Sequence, residues 1–167
     1  NMYFTEVEKG EYAIKPMNCP GHIIIYQNQK RSYRDLPLRL AELGTVYRCE
    51  RSGVLHGLMR VRGFTVDDGH IFCTPSQMVG EVQGVIRFAL YFLKLFGFGY
   101  DIELSLSDPD NMEHYAGVPE EWARAEKAMA QALDEMGEEY RTVKGEAAFY
   151  GPKVDIKMHD ALGRTWQ

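Results

Sequence analysis

Apolar residues recur along this chain with two different periods, and the period decides which element each stretch predicts. Residues 1–7 and 12–17 carry spaced aromatic and branched side chains and predict two strands of a hairpin, with Gly10 in the intervening turn at 8–11 supplying a permissive backbone. After Pro20-Gly21, the apolar run at 22–27 predicts a short helix, whereas 34–43 mixes both kinds of position and predicts no definite element. A strand is expected at 44–50 and a polar, glycine-containing loop at 51–57. Residues 59–72 read as extended, although Asp67, Asp68 and Gly69 are poor strand formers.

The second half is more regular. Thr74-Pro75 places a hydroxyl cap before a proline at the first helical position, and Val82, Val85, Ile86, Ala89, Phe92, Leu93 and Phe96 continue at helical spacing. Residues 101–107 alternate as a half-buried strand does, and 119–136 predict a second amphipathic helix that stops at Gly137. Three closing strands follow at 139–143, 153–159 and 164–167. Strands grouped around two helices favour an α+β fold, an antiparallel sheet flanked by helices, over a doubly wound parallel one.

Composition narrows the setting. At 167 residues and 45% apolar content, one domain spanning 1–167 can bury a sizeable core. No run is long enough to cross a bilayer, and the opening residues lack a basic, then apolar, signal pattern, so a cytoplasmic protein without a membrane partner is expected. Cys19, Cys49 and Cys73 lie far apart without a CxxC pair, which argues against a disulfide framework or a four-cysteine zinc site. A net charge of -5 argues against a general nucleic-acid binder, yet Arg48, Arg51, Arg60 and Arg62 crowd one stretch that could draw an anion. The chain opens and closes in strand-like runs, so it is expected to be an excerpt of a longer protein.

The densest candidate chemistry lies within 47–70. Tyr47-Arg48-Cys49-Glu50 precedes the loop, and Arg60-Val61-Arg62-Gly63-Phe64 with Asp68 follows it. Arginine binds phosphate through a planar, permanently charged fork, and an exposed Phe offers a face for a base. Taken singly, Arg48 and Glu50 read as a cross-strand ion pair and Phe64 as core. Cys19 and His70 are sound zinc donors but only two, and each alone reads more simply as a structural residue.

The combination Arg-x-Glu, loop, Arg-x-x-x-Phe-x-x-x-Asp resembles motif 2 of the class II aminoacyl-tRNA synthetases. The stretches 17–22 (Met-Asn-Cys-Pro-Gly-His), 62–70 (Arg-Gly-Phe-Thr-Val-Asp-Asp-Gly-His) and 145–153 (Gly-Glu-Ala-Ala-Phe-Tyr-Gly-Pro-Lys) resemble the threonyl branch of that family over essentially the whole chain. The resemblance implies ATP-dependent activation of threonine, with magnesium accompanying ATP, and transfer of threonine to its tRNA. Under it, Arg48 would hold the α-phosphate and the amino-acid carboxylate, Glu50 the adenine amino group and Arg60 the γ-phosphate, while Phe64 would stack on adenine. Asp68 would take the threonine hydroxyl and Tyr150 would line the amino-acid pocket. Lys153 and Gln167 would lie near the reaction centre, Lys153 as a catalytic residue and Gln167 at ATP. Cys19 and His70 would be two of three zinc ligands, with a third histidine beyond Gln167. The loop, including His56, would approach the acceptor end of tRNA.

Motif 1, motif 3 and an anticodon-binding domain would lie outside the chain, and the full protein would be a homodimer. Val66 departs from the pattern, because the family commonly has a glutamine there that contacts the amino acid. An alternative follows from that departure: a synthetase-like paralogue serving as an RNA-binding or regulatory module.

Overall fold

The structure, a computed structural model, describes residues 2–167; Asn1, the first position of the predicted opening strand, lies outside them. The chain divides into two compact units, Asn1–Thr74 and Pro75–Gln167.

In the first unit, β1 (Phe4–Val7) and β2 (Gly10–Ala13) form the expected antiparallel hairpin. Its turn is made differently from the sequence expectation: Glu8 and Lys9 take the positive φ angles, 48° and 72°, and Gly10 already belongs to β2. Helix α1 (Cys19–Gln27) begins earlier than predicted because Pro20, which needs no N–H partner there, sits in its first turn. The unassigned stretch resolves into one tight helical turn, Tyr33–Asp35, and the start of a long strand. Ser32 and Asp35 cap that turn reciprocally, the Asp35 carboxylate accepting from the Ser32 N–H at 2.7 Å.

Strand β3 (Leu38–Tyr47) then pairs antiparallel with β4 (Gly63–Phe72) over ten positions, from Leu38 opposite Phe72 to Tyr47 opposite Gly63. Asp67, Asp68 and Gly69 stay inside β4 despite their propensities. Residues 48–50 and 59–62, read as extended from the sequence, lie outside the strands, although the Arg48 N–H still reaches the Arg62 carbonyl at 2.8 Å. Even-numbered side chains share the half-buried or buried face of this ribbon, whereas most odd-numbered ones are exposed.

In the second unit, helices α2 (Met78–Leu95) and α3 (Pro119–Met136) accompany a four-stranded sheet. Its order is β6 (Tyr140–Lys144), β5 (Tyr100–Leu106), β7 (Lys153–His159) and β8 (Thr165–Trp166). β7 runs antiparallel to both its neighbours, but β5 and β6 are parallel, joined through α3. Ile86, Leu90, Ile102, Leu104 and Leu133 form one sealed apolar cluster between the helices and one sheet face. α3 ends where the sequence places its end, with Gly137 left-handed at φ 67° and its N–H returned to the Asp134 carbonyl. The alternate positions of β5, Glu103 and Ser105, are buried and polar, as is Asp155 on β7.

Candidate functional site

The β3–β4 ribbon places Phe64, Val66, Asp68 and His70 on one face of β4, because side chains two apart along a strand point the same way. Opposite them on β3 stand Val46, Gly44, Glu42 and Leu40. Three of the predicted site residues thus fall on one surface together with Val66.

Helix α1 lies along that surface, and its contacts repeat. Asn18 Nδ2 donates to Asp68 Oδ2 at 3.1 Å. One helical turn on, His22 Nδ1 is 2.7 Å from His70 Nδ1, with the rings edge-on. A further turn on, Tyr26 stacks on Phe72, centroids 4.2 Å apart and planes 5° from parallel. Four helical residues advance about 6 Å and two strand residues about 6.8 Å, so steps of four on α1 keep near-register with steps of two on β4. Asn18 and His22 are buried, and Asn18 Oδ1 has no hydrogen-bond partner. Gly44 makes room for this helix end: a Cβ there would lie 2.4 Å from the Asn18 amide.

At the other end of the ribbon, Arg48, Glu50, Arg60 and Phe64 line one cleft of about 490 Å³, shared with Leu58, Met59, Val61 and Thr65. The Arg48 guanidinium sits 5.2 Å from the Phe64 ring centroid, and its Nε donates to the Pro16 carbonyl at 3.1 Å. Arg60 Nη2 is 3.1 Å from Glu50 Oε2, so the acid pairs with Arg60 rather than with Arg48. Arg62 braces the loop, donating to the Glu50 carbonyl at 3.0 Å and to Ser52 Oγ at 3.2 Å. His56 closes that loop through a bridge with Arg60.

Cys19 is a half-buried free thiol at the first residue of α1, next to Asn18. Among the described residues, no group of three or more His, Cys, Asp or Glu side chains could hold a metal ion. The three remaining candidates belong to the second unit. Lys153 opens β7, and its Nζ is 2.5 Å from Asp155 Oδ2. Ser105 donates to the same carboxylate at 2.8 Å, and Gln167 donates to its other oxygen. Tyr150 is exposed, its ring edge-on to Phe149 at 5.1 Å.

Sequence reasoning overlooked Asn18, Glu42, His22 and Asp155 as supporting residues. His22 and Asn18 stood inside a quoted motif, and their spacing from Tyr26 was a usable signal. Glu42 and Asp155 carried none that a single sequence would reveal.

Residues 3–167 match the family described as tRNA synthetase class II core domain (G, H, P, S and T). A threonine–tRNA ligase of Acidobacterium capsulatum is 58% identical over 97% of this chain and 24% of its own length. Another from Clostridium botulinum is 55% identical over all of this chain and 26% of its own length. The chain therefore spans about a quarter of these curated relatives. Among solved structures, the RNA binding domain of a threonyl-tRNA synthetase from Cryptosporidium parvum superposes with a TM-score of 0.89 at 44% identity, covering 100% of this chain and 41% of that one. A putative threonyl-tRNA synthetase from Aeropyrum pernix gives 0.88 at 38%, covering 100% and 40%. No helix of the described residues is long and apolar enough to cross a membrane.

Proposed function

The chain belongs to the tRNA synthetase class II core family (G, H, P, S and T), and from its likeness to threonine–tRNA ligases within it we propose that its protein activates threonine with ATP and transfers it to threonine tRNA. The observation that carries the reading is the convergence of Arg48, Glu50, Arg60 and Phe64 on one cleft beside the strand bearing Asp68 and His70.

In the first step a threonine carboxylate oxygen attacks the α-phosphorus of ATP, and magnesium pyrophosphate leaves in line. Arg48 neutralises charge on the α-phosphate and holds the incoming carboxylate. Binding exchanges the Arg60–Glu50 ion pair for separate contacts, Arg60 to the γ-phosphate and Glu50 to the adenine amino group, while Phe64 supplies the stacking face. Little covalent chemistry is asked of the protein, so positioning and charge stabilisation provide the acceleration. In the second step the terminal ribose hydroxyl of tRNA attacks the adenylate carbonyl and AMP leaves. By family resemblance Lys153 would be a catalytic residue, Gln167 an ATP contact and Tyr150 an amino-acid contact; within the second unit Lys153 and Gln167 share the Asp155 carboxylate.

Asp68 takes the threonine hydroxyl. Cys19 and His70 would hold zinc with a third histidine beyond Gln167, and both suit it: the Cys19 thiol is unpaired in any disulfide, and the His22 contact engages only one nitrogen of His70. A zinc ion held there would supply Lewis-acid contacts that a hydroxyl-bearing amino acid can accept and valine cannot, where an apolar pocket would discriminate poorly between such isosteres. Val66 stands where the family commonly has a glutamine that contacts the amino acid, so either another residue supplies that contact or the selectivity of the site is altered. The full protein, in this reading, is a cytoplasmic homodimer whose remaining length carries motif 1, motif 3 and the anticodon-binding domain.

Threonine-dependent pyrophosphate exchange by the full-length protein tests the proposal. Exchange with threonine, lowered about 100- to 1,000-fold by Arg48→Ala without unfolding, is expected. Exchange with serine or proline but not threonine overturns the substrate; tRNA binding without any exchange favours the paralogue reading.

A further inference from the structure

The geometry points to His22 and Glu42 as a positioning pair that fixes the tautomer of His70 and leaves its Nε2 lone pair free for a metal. This rests on the zinc reading above and names residues that reading does not use.

The argument is one of donors and acceptors. His22 Nδ1 and His70 Nδ1 are 2.7 Å apart, and such a contact between neutral imidazoles needs a proton on one nitrogen and a lone pair on the other. Two assignments satisfy it. The second nitrogen of His22, Nε2, is 3.2 Å from Glu42 Oε1. A carboxylate only accepts, so a lone pair on His22 Nε2 would face negative charge, whereas an N–H there is attracted to it. With His22 neutral, Glu42 selects its tautomer protonated at Nε2 and leaves Nδ1 as acceptor, whereas a doubly protonated His22 would donate from both nitrogens and overturn the assignment. His70 must then donate from its own Nδ1, and its Nε2 carries the lone pair. That nitrogen is the one a divalent cation would take.

The chain of contacts also fixes ring orientation. His22 is buried, on the helix turn between the Asn18–Asp68 and Tyr26–Phe72 contacts, so its ring is held from both sides along the ladder. Glu42 is directly opposite Asp68 across the ribbon, which ties the pair to the same face.

The test is zinc retention by the full-length protein against a chromogenic chelator, for wild type, Glu42→Gln, His22→Phe and Tyr26→Leu. The first two variants are expected to weaken retention about 10- to 100-fold, and Tyr26→Leu, which loosens the same helix without touching either imidazole, much less. A second measurement needs no folded variant at the relay: nitrogen NMR of the metal-free wild type labelled at histidine, with His70 assigned by its loss in His70→Asn. A proton on His70 Nδ1 supports the pair; a proton on Nε2 overturns it. Wild type that holds zinc while Glu42→Gln and His22→Phe retain it equally well overturns the pair alone. Equal weakening by Tyr26→Leu reassigns the effect to packing and overturns it too. Wild type that holds no zinc removes the reading beneath it as well.

Discussion

The two units bury their residues in opposite ways. In the second, sealed side chains are chiefly apolar: Ile86, Leu90, Ile102, Leu104 and Leu133 meet between helices and sheet. In the first, the buried set is Val46 and Gly44 with Asn18 and His22, and the helix is held to the ribbon by an amide–carboxylate contact, an imidazole pair and a stacked ring. Apolar burial stabilises without direction, whereas polar contacts fix individual atoms at some cost in desolvation. The second unit thus resembles a scaffold and the first a surface where particular atoms are aimed.

Breaking that comparison begins with its strongest apolar contact. Leu133→Ala, at a residue with 0% exposure, should cost about 2–5 kcal/mol in urea unfolding, since lost burial and a cavity add. A cost below 1 kcal/mol would show that the second unit is not held by this cluster. The next effect belongs to the first unit. Gly44→Ala should destabilise by about 1–3 kcal/mol, because its Cβ would press on a buried Asn18 that is tied to Asp68. Gly80→Ala, on an exposed turn of α2 with nothing within 4 Å, should instead stabilise by about 0.5–1 kcal/mol. Opposite signs for one methyl group would sharpen the contrast, and equal signs would remove it.

The same contrast explains what could be read in advance. The bounds of α3 and β7 follow from periodicity, because their inward positions in the second unit mostly match the periodic pattern of an amphipathic element. The stretch at 34–43 gave no assignment because it joins the end of a helical turn to the start of β3, where Glu42 stands on the inward face and Leu43 on the exposed one. Asp68 and His70 weaken β4 in the same manner. Local rules fail where the inward positions of a strand carry polar side chains tied to a packed helix, so the irregularity is itself a signal. The motif residues were legible as chemistry. Their partners were not: Glu42, His22 and Asp155 are chosen by cross-strand and helix-to-strand neighbours, which no local pattern records. The parallel pairing of β5 and β6 escaped for the same reason, being a choice of partner rather than of conformation.

The last expected effect is also modest and concerns the polar side of the second unit's sheet. Glu103 is buried, with Lys157 Nζ at 2.8 Å from one carboxylate oxygen and Arg141 on that same oxygen. The hydrogen bond from Lys157, opposed by burial and aided by Arg141, holds its carboxyl below its ordinary value of 4.5. A folded-state value lower than the unfolded one means that the unfolded chain takes up the proton first. The stabilisation is therefore fully present above about pH 4.5 and is lost as pH falls below it. Glu103→Gln should flatten that acid limb and lower stability at pH 7 by about 1 kcal/mol, a modest figure because Arg141 is largely exposed. Urea unfolding of both proteins at several pH values from 7 down to about 3 measures it. If the variant keeps the same acid dependence as wild type, this buried carboxylate is a bystander, and the charges on that face compensate one another without contributing to the fold.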